Sequence, residues 1–174
     1  SKKGGEMQMV QLWVNLPAKD KMTTPKYQNL NNKDLSKVEL ENNVGSIDII
    51  AGEYEDHKGP AASFSPLSLF NVKLKKGKGT SFSFHENHNT GLLIIKGSVT
   101  VNNSEKAPTN HFVLFKNKGK EFTLRADEDA VVLVLSGEPI DEPIASYGPF
   151  VMNTNDEIRQ TIDDFNSGKF GYLD

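Results

Sequence analysis

The sequence predicts an all-β domain, an antiparallel barrel or sandwich, closed by one C-terminal α-helix. Short runs with period-two alternation or β-branched character recur along the chain, with turn residues between them. Strands this short and evenly spaced fit two packed sheets or a barrel, not alternating βα units. Near the C-terminus the period changes once, from two to that of a helix. Hydrophobic residues make up 36% of the 174 and aromatics are spread throughout, which suffices for the core of one ordinary domain plus an accessory segment.

The first β-type run covers residues 7–16, with Val10, Leu12 and Val14 on one face and Trp13 on the other; Pro17 stops it. Residues 18–32 are polar and broken by Pro25, the composition of a linker. Strands are expected at 37–41, 46–52, 67–74, 80–84, 92–96, 99–102, 111–115, 121–125 and 131–136. The turns between them carry Asn42-Asn43, Lys76-Gly77-Lys78-Gly79, Asn102-Asn103-Ser104, Asn117-Lys118-Gly119 and Asp127-Glu128-Asp129. Residues 52–65, with Tyr54, His57 and Pro60, read as a long surface loop. The closing helix is expected over 155–167. Thr154 and Glu157 form a capping box, Ile158, Ile162 and Phe165 share one face, and Gly168 ends it.

A net charge of −3 and a sequence pI near 5.8 argue against direct nucleic-acid binding. The densest basic run, Lys73 to Lys78, includes two glycines and reads as a solvated hairpin tip. Without cysteine there is no disulfide, thiolate nucleophile or sulfur metal site. No apolar run approaches the ~20 residues of a membrane helix, and Ser1-Lys2-Lys3-Gly4-Gly5 leads into no signal-type apolar stretch. The expectation is a soluble cytoplasmic protein, or a nuclear one in a eukaryote, with no membrane partner.

Chemistry-bearing motifs are few. Gly77-Lys78-Gly79 lacks a third glycine and precedes a strand, where a dinucleotide fingerprint must open a helix. No G-x-S-x-G elbow is present. The carboxylates of Asp127-Glu128-Asp129 and Asp163-Asp164 lie on a turn and an exposed helix face, not across a pocket. Of four histidines, His85 and His88 in His85-Glu86-Asn87-His88 are the most suggestive. On a regular strand they would face opposite sides, so only a bend brings them together. His111 is a third ligand candidate if its strand lies nearby, and His57 sits in the long loop. The plainer reading is polar residues on a hairpin rim.

Several stretches go beyond pattern. Gln11-Leu12-Trp13-Val14-Asn15-Leu16-Pro17-Ala18-Lys19 with Pro25-Lys26-Tyr27-Gln28 resembles the mid-chain signature of the pirin family. Gly137-Glu138-Pro139-Ile140 with Glu142-Pro143, then Tyr147-Gly148-Pro149-Phe150-Val151-Met152-Asn153-Thr154, resembles its C-terminal signature. Ile49-Ile50-Ala51-Gly52-Glu53 and Gly168-Lys169-Phe170-Gly171 match in order and spacing. The resemblance implies a cupin-type antiparallel barrel, a double-stranded β-helix or jelly roll. Pirins pair two such barrels, the first holding iron through three histidines and a glutamate that precede the Gln-Leu-Trp segment. On this reading residues 1–17 are the last strand of an N-terminal barrel otherwise lacking here. Residues 18–36 are linker, 37–150 the C-terminal barrel and 151–174 the helix and tail.

The general cupin pattern places a glycine, five residues, His-x-His and then a glutamate. Gly79 and His85 fit, but Asn87 stands at the second histidine and Thr90 or Gly91 at the glutamate. The later motif, Pro-x-Gly-x-x-His, has only Pro108, with Asn110 and Val113 at the other positions. One ligand in four does not make a transition-metal site. No catalytic, cofactor-binding or metal residue is therefore carried over from the family. The resemblance implies that the intact protein is an iron-dependent quercetin 2,3-dioxygenase, a redox-responsive transcription cofactor, or both, with this half structural or interacting. Expected partners are the N-terminal barrel, or a second copy engaged through the first strand, and possibly other proteins. The alternative is a self-sufficient small cupin binding a metal or small ligand through His85, His88 and His111.

Overall fold

The computed structural model describes residues 4, 5 and 7–171; Ser1-Lys2-Lys3 and the last three residues of the expected tail lie outside them. The chain divides into two compact units, Thr24–Ile140 and the pair Ser1–Thr23 with Asp141–Asp174.

The larger unit is built on two antiparallel sheets. The six-stranded sheet has the order β1 (Ser36–Leu40), β2 (Gly45–Ala51), β5 (Leu67–Leu74), β12 (Ala130–Gly137), β7 (Asn89–Lys96), β10 (Phe112–Leu114). The four-stranded sheet runs β6 (Gly79–Ser83), β11 (Glu121–Ala126), β8 (Ser98–Val101), β9 (Glu105–Pro108). From β5 to β12 the chain alternates between the sheets, except for the β8–β9 hairpin. That connectivity is the double Greek key of an eight-stranded jelly roll, with β1 and β2 widening one sheet.

Alternation explains the core. Ile47 and Ile49, Phe70 and Val72, Val132 and Val134, Leu92 and Ile94 point inward from one sheet. Phe82, Val99, Val101, Phe122 and Leu124 meet them from the other. One face of each strand is thereby withdrawn from water, which fixes register. Asp48 is the buried charge on the outer face, and Lys73 Nζ at 2.7 Å and Asn71 Nδ2 at 3.2 Å donate to its Oδ2. Asn42, Asn43, Asn102 and Asn103 all adopt positive φ, the conformation that asparagine tolerates best after glycine.

The nine expected barrel strands are present, with ends shifted by up to three residues. Residues 52–65 are more ordered than a plain loop. They fold a small hairpin, β3 (Glu53–Tyr54) with β4 (His57–Lys58), that packs Tyr54 against Phe70 and Phe82. β9 was not foreseen, because only Ala107 of its four residues is buried.

The smaller unit contains the hairpin β13 (Ala145–Tyr147) and β14 (Phe150–Met152) and the helix α1 (Asn155–Asn166). Thr154 caps α1 as expected: its Oγ1 accepts from the Glu157 N–H at 3.2 Å, and Glu157 Oε2 accepts from the Thr154 N–H at 2.8 Å. The buried face differs from the apolar stripe. Ile158 is buried, but Thr161 and Asp164 take the next places, while Phe165 is 58% exposed. Thr161 donates to the Glu157 carbonyl, and Asp164 accepts from Gln160 and Lys169, so both polar groups are satisfied.

Residues 7–16 form no strand, a further departure from expectation. A strand needs a partner for its amides, and no pairing of this segment with another strand occurs among the described residues. Within its unit the segment leads to a 3-10 turn at Ala18–Asp20, where the Ala18 N–H donates to Glu142 and Lys21 Nζ donates to Asn15 and the Val151 carbonyl. No helix is long and apolar enough to cross a membrane among the described residues.

Candidate functional site

The β6–β7 turn answers the question the sequence left open. β6 ends at Ser83 and β7 begins at Asn89, so residues 84–88 leave strand geometry, and the His88 N–H donates back to the His85 carbonyl at 3.0 Å. The bend puts both imidazoles on one side, with ring centroids 5.8 Å apart. His85 Nδ1 donates to Asn87 Oδ1 at 2.5 Å. His88 Nδ1 lies 3.4 Å from Ser136 Oγ, which is paired at 2.9 Å with Thr90 Oγ1. Burial lowers the His88 pKa, the neighbouring His85 lowers it further, and Glu138 opposes both. His88 is therefore biased toward the neutral ring at neutral pH.

His111 does not join them. β10 runs antiparallel to β7 with Phe112 opposite Leu93, so the His111 carbonyl accepts from the Ile94 N–H. His88 precedes β7 at its other end. Six residues of strand, about 20 Å, separate the two positions. His57 lies on β4, with its backbone paired to Tyr54. Among the described residues no three His, Cys, Asp or Glu side chains come together as a metal-holding group.

The cupin ligand positions carry other chemistry. Thr90 points inward, but it is buried and engaged with Ser136. At Gly91 a Cβ would approach Phe112 Cζ to 2.5 Å, so the ring covers the place of a side chain. Val113 is half-buried against the core. Behind the turn the interior is filled with rings. Phe115 and Phe122 have centroids 4.6 Å apart, Phe122 and Phe82 5.5 Å, and Phe84 lies 6.1 Å from Phe122. The cleft between histidines and rings holds only about 40 Å³, far below the roughly 300–1,000 Å³ of a small-molecule site. An iron centre of three histidines and a glutamate does not fit these residues. Nor does Ser136, 4% exposed, present a usable nucleophile.

Sequence reasoning placed Thr90 only at the glutamate position and missed its partner Ser136. The signal was available, since Ser136 continues the inward register of Val132 and Val134 and is the polar member of that row. Its partner comes from the adjacent strand β7, opposite it in register.

Comparison with known proteins agrees with this architecture. The family model of the pirin C-terminal cupin domain matches residues 69–171. A Pseudomonas aeruginosa protein named as a candidate quercetin 2,3-dioxygenase is 42% identical over 167 residues, covering 96% of this chain and 58% of its own length. A pirin-like protein of Solanum lycopersicum is 34% identical, covering 97% of this chain and 58% of its own. The crystal structure of a quercetin 2,3-dioxygenase from Acinetobacter baumannii superposes with a TM-score of 0.88 at 44% identity, over 93% of this chain and 56% of that one. The chain thus spans somewhat over half the length of the relatives it matches. With a jelly roll of this connectivity and a family match over most of the barrel and the helix, the chain belongs to the pirin family, as its C-terminal cupin portion.

Proposed function

We propose that this chain is the supporting half of a two-barrel, iron-dependent quercetin 2,3-dioxygenase. On this reading the metal chemistry belongs to an N-terminal barrel, and the present barrel is a docking platform for it. The ring-filled interior carries the reading: Phe84, Phe115 and Phe122 occupy the space behind the ligand positions, and those positions hold Asn87, Gly91 and Val113. Two exposed apolar surfaces support the platform role. One is the segment with Leu12, Trp13 and Val14, where Trp13 is 63% exposed. The other is the edge strand β10, with Phe112 and Leu114 at 57% and 71% exposure. Both suit a second barrel, with a further copy of this chain as the competing occupant. Any regulatory contact with transcription proteins in the cytoplasm or nucleus runs through protein surface, since a net charge of −3 does not suit DNA.

The test is elemental analysis of the purified chain with oxygen uptake on quercetin, before and after adding the separately expressed N-terminal barrel of the Acinetobacter relative. The chain alone holds no stoichiometric iron and consumes no oxygen; the mixture co-elutes and gains activity. Near-unit iron or quercetin-dependent oxygen uptake by the chain alone overturns the proposal.

A further inference from the structure

We propose that His85 and His88 form a two-imidazole site for a late first-row divalent cation, of the nickel or zinc type, with water completing the coordination. This site is distinct from the iron centre of a complete cupin, because His88 is at no cupin ligand position and the partners of that centre are replaced.

Distance decides first. A nitrogen-bound metal at about 2.0–2.1 Å lies about 3.2 Å from the imidazole centroid, so two rings on a tetrahedral ion sit about 5.2 Å apart and two opposite rings about 6.4 Å. The observed 5.8 Å exceeds the tetrahedral value by about 0.6 Å, a gap that a small rotation of the exposed His85 side chain closes. The second consideration is which nitrogen is free. An amide oxygen only accepts, so the contact to Asn87 Oδ1 fixes the proton of His85 on Nδ1 and leaves the Nε2 lone pair available. His88 meets Ser136 through Nδ1 as well, which leaves its Nε2 unengaged by that contact. Metal-bound histidines are held in the same way, one nitrogen on the ion and the other on a neighbour.

Local charge does not attract a cation. Lys116, Lys118 and Lys120 line the same cleft, opposed by Glu86 and Glu121. Affinity then rests on imidazole coordination. That choice excludes magnesium and calcium, which take oxygen ligands, and it makes binding nearly independent of salt.

The experiment uses the full chain with Ni²⁺ as probe, Mg²⁺ as control, calorimetry for affinity and NMR of the four histidine rings for location. Substoichiometric Ni²⁺ broadens His85 and His88 before His57 and His111. His85→Ala and His88→Ala each weaken Ni²⁺ binding by at least about tenfold, and Asn87→Ala by about tenfold through loss of the orienting acceptor. His111→Ala changes nothing. Thermal melting of each variant without metal verifies folding, and these turn residues are peripheral enough for the melts to match the parent. Uniform broadening of all four rings, or an unchanged affinity in folded His88→Ala, overturns the proposal.

Discussion

The two units of this chain are organised by different forces. In Thr24–Ile140, strand alternation puts Phe70, Phe82, Phe122, Ile47, Ile94 and Val134 into one interior with almost no exposed surface. Among the described residues of the terminal unit Ile158 is the buried hydrophobic one, while Trp13, Tyr147, Phe165 and Phe170 stay more than half exposed. Its order comes from polar contacts instead. Glu142 accepts from Ala18 and Asn153, Lys21 bridges Asn15 and Val151, and Glu157 gathers Asn153 and Thr154. Burial of apolar area is non-directional and large in sum, whereas each hydrogen bond adds only about 0.5–1.5 kcal/mol net. The barrel has the means to hold itself together. The terminal unit leaves large apolar side chains in water.

That contrast breaks first, if it breaks, at Phe82. Its ring contacts Tyr54, Phe70, Phe84 and Phe122, so Phe82→Ala opens a cavity that both sheets share. A loss of about 3–5 kcal/mol is expected in urea unfolding. A cost below about 1 kcal/mol would show that the ring stack fills space without contributing stability.

Much of this was legible in the sequence, and the failures share a cause. Strands such as Leu67–Leu74 and Ala130–Gly137 were found because their inward residues repeat at period two. The capping box of Thr154 and Glu157 was found because its chemistry is local. Residues 7–16 have the same alternation, yet they form no strand, since pairing depends on a partner and not on the segment. The helix face was misjudged for the complementary reason. Thr161 and Asp164 are buried in place of Phe165 because neighbouring donors and acceptors satisfy them, which an apolar stripe does not reveal. At the site, local sequence gave His85 and His88, but only the β7–β10 register separates them from His111.

The next expected effect is smaller and lies in the terminal unit. Burial raises the Glu157 pKa, but hydrogen bonds from Asn153 and Thr154, aided by Lys21, outweigh it and leave the group below its ordinary value. A depressed carboxyl contributes stability that is complete above the unfolded-state pKa, near 4.3, and is lost as pH falls through the lower folded value. Thr154→Ala should cost about 1 kcal/mol, the usual effect of losing such a cap. It should also move the Glu157 carboxyl back toward its ordinary range in an NMR titration. A Glu157 titration unchanged in Thr154→Ala would assign its depression to the backbone amides of residues 153 and 154, with Lys21.

The smallest effect on stability is expected where apolar exposure is greatest. Phe112 and Leu114 alternate with half-buried Val113 on the edge strand β10, so their side chains project from the outer face while Val113 packs inward. Replacing exposed side chains outside the core normally changes stability by less than about 0.5 kcal/mol. Leu114→Ser meets that condition fully. Phe112→Ser meets it less well, because the ring also covers Gly91, and removing it bares that stretch of β7. The pair of substitutions therefore separates two roles for this edge. If β10 is a docking surface, Leu114→Ser leaves urea unfolding unchanged yet abolishes co-elution with an N-terminal barrel or reduces self-association in light scattering. If the edge serves only the fold, Phe112→Ser destabilises and neither substitution alters association. Loss of association in Leu114→Ser at constant stability would place the apolar surface of this barrel in the service of a partner.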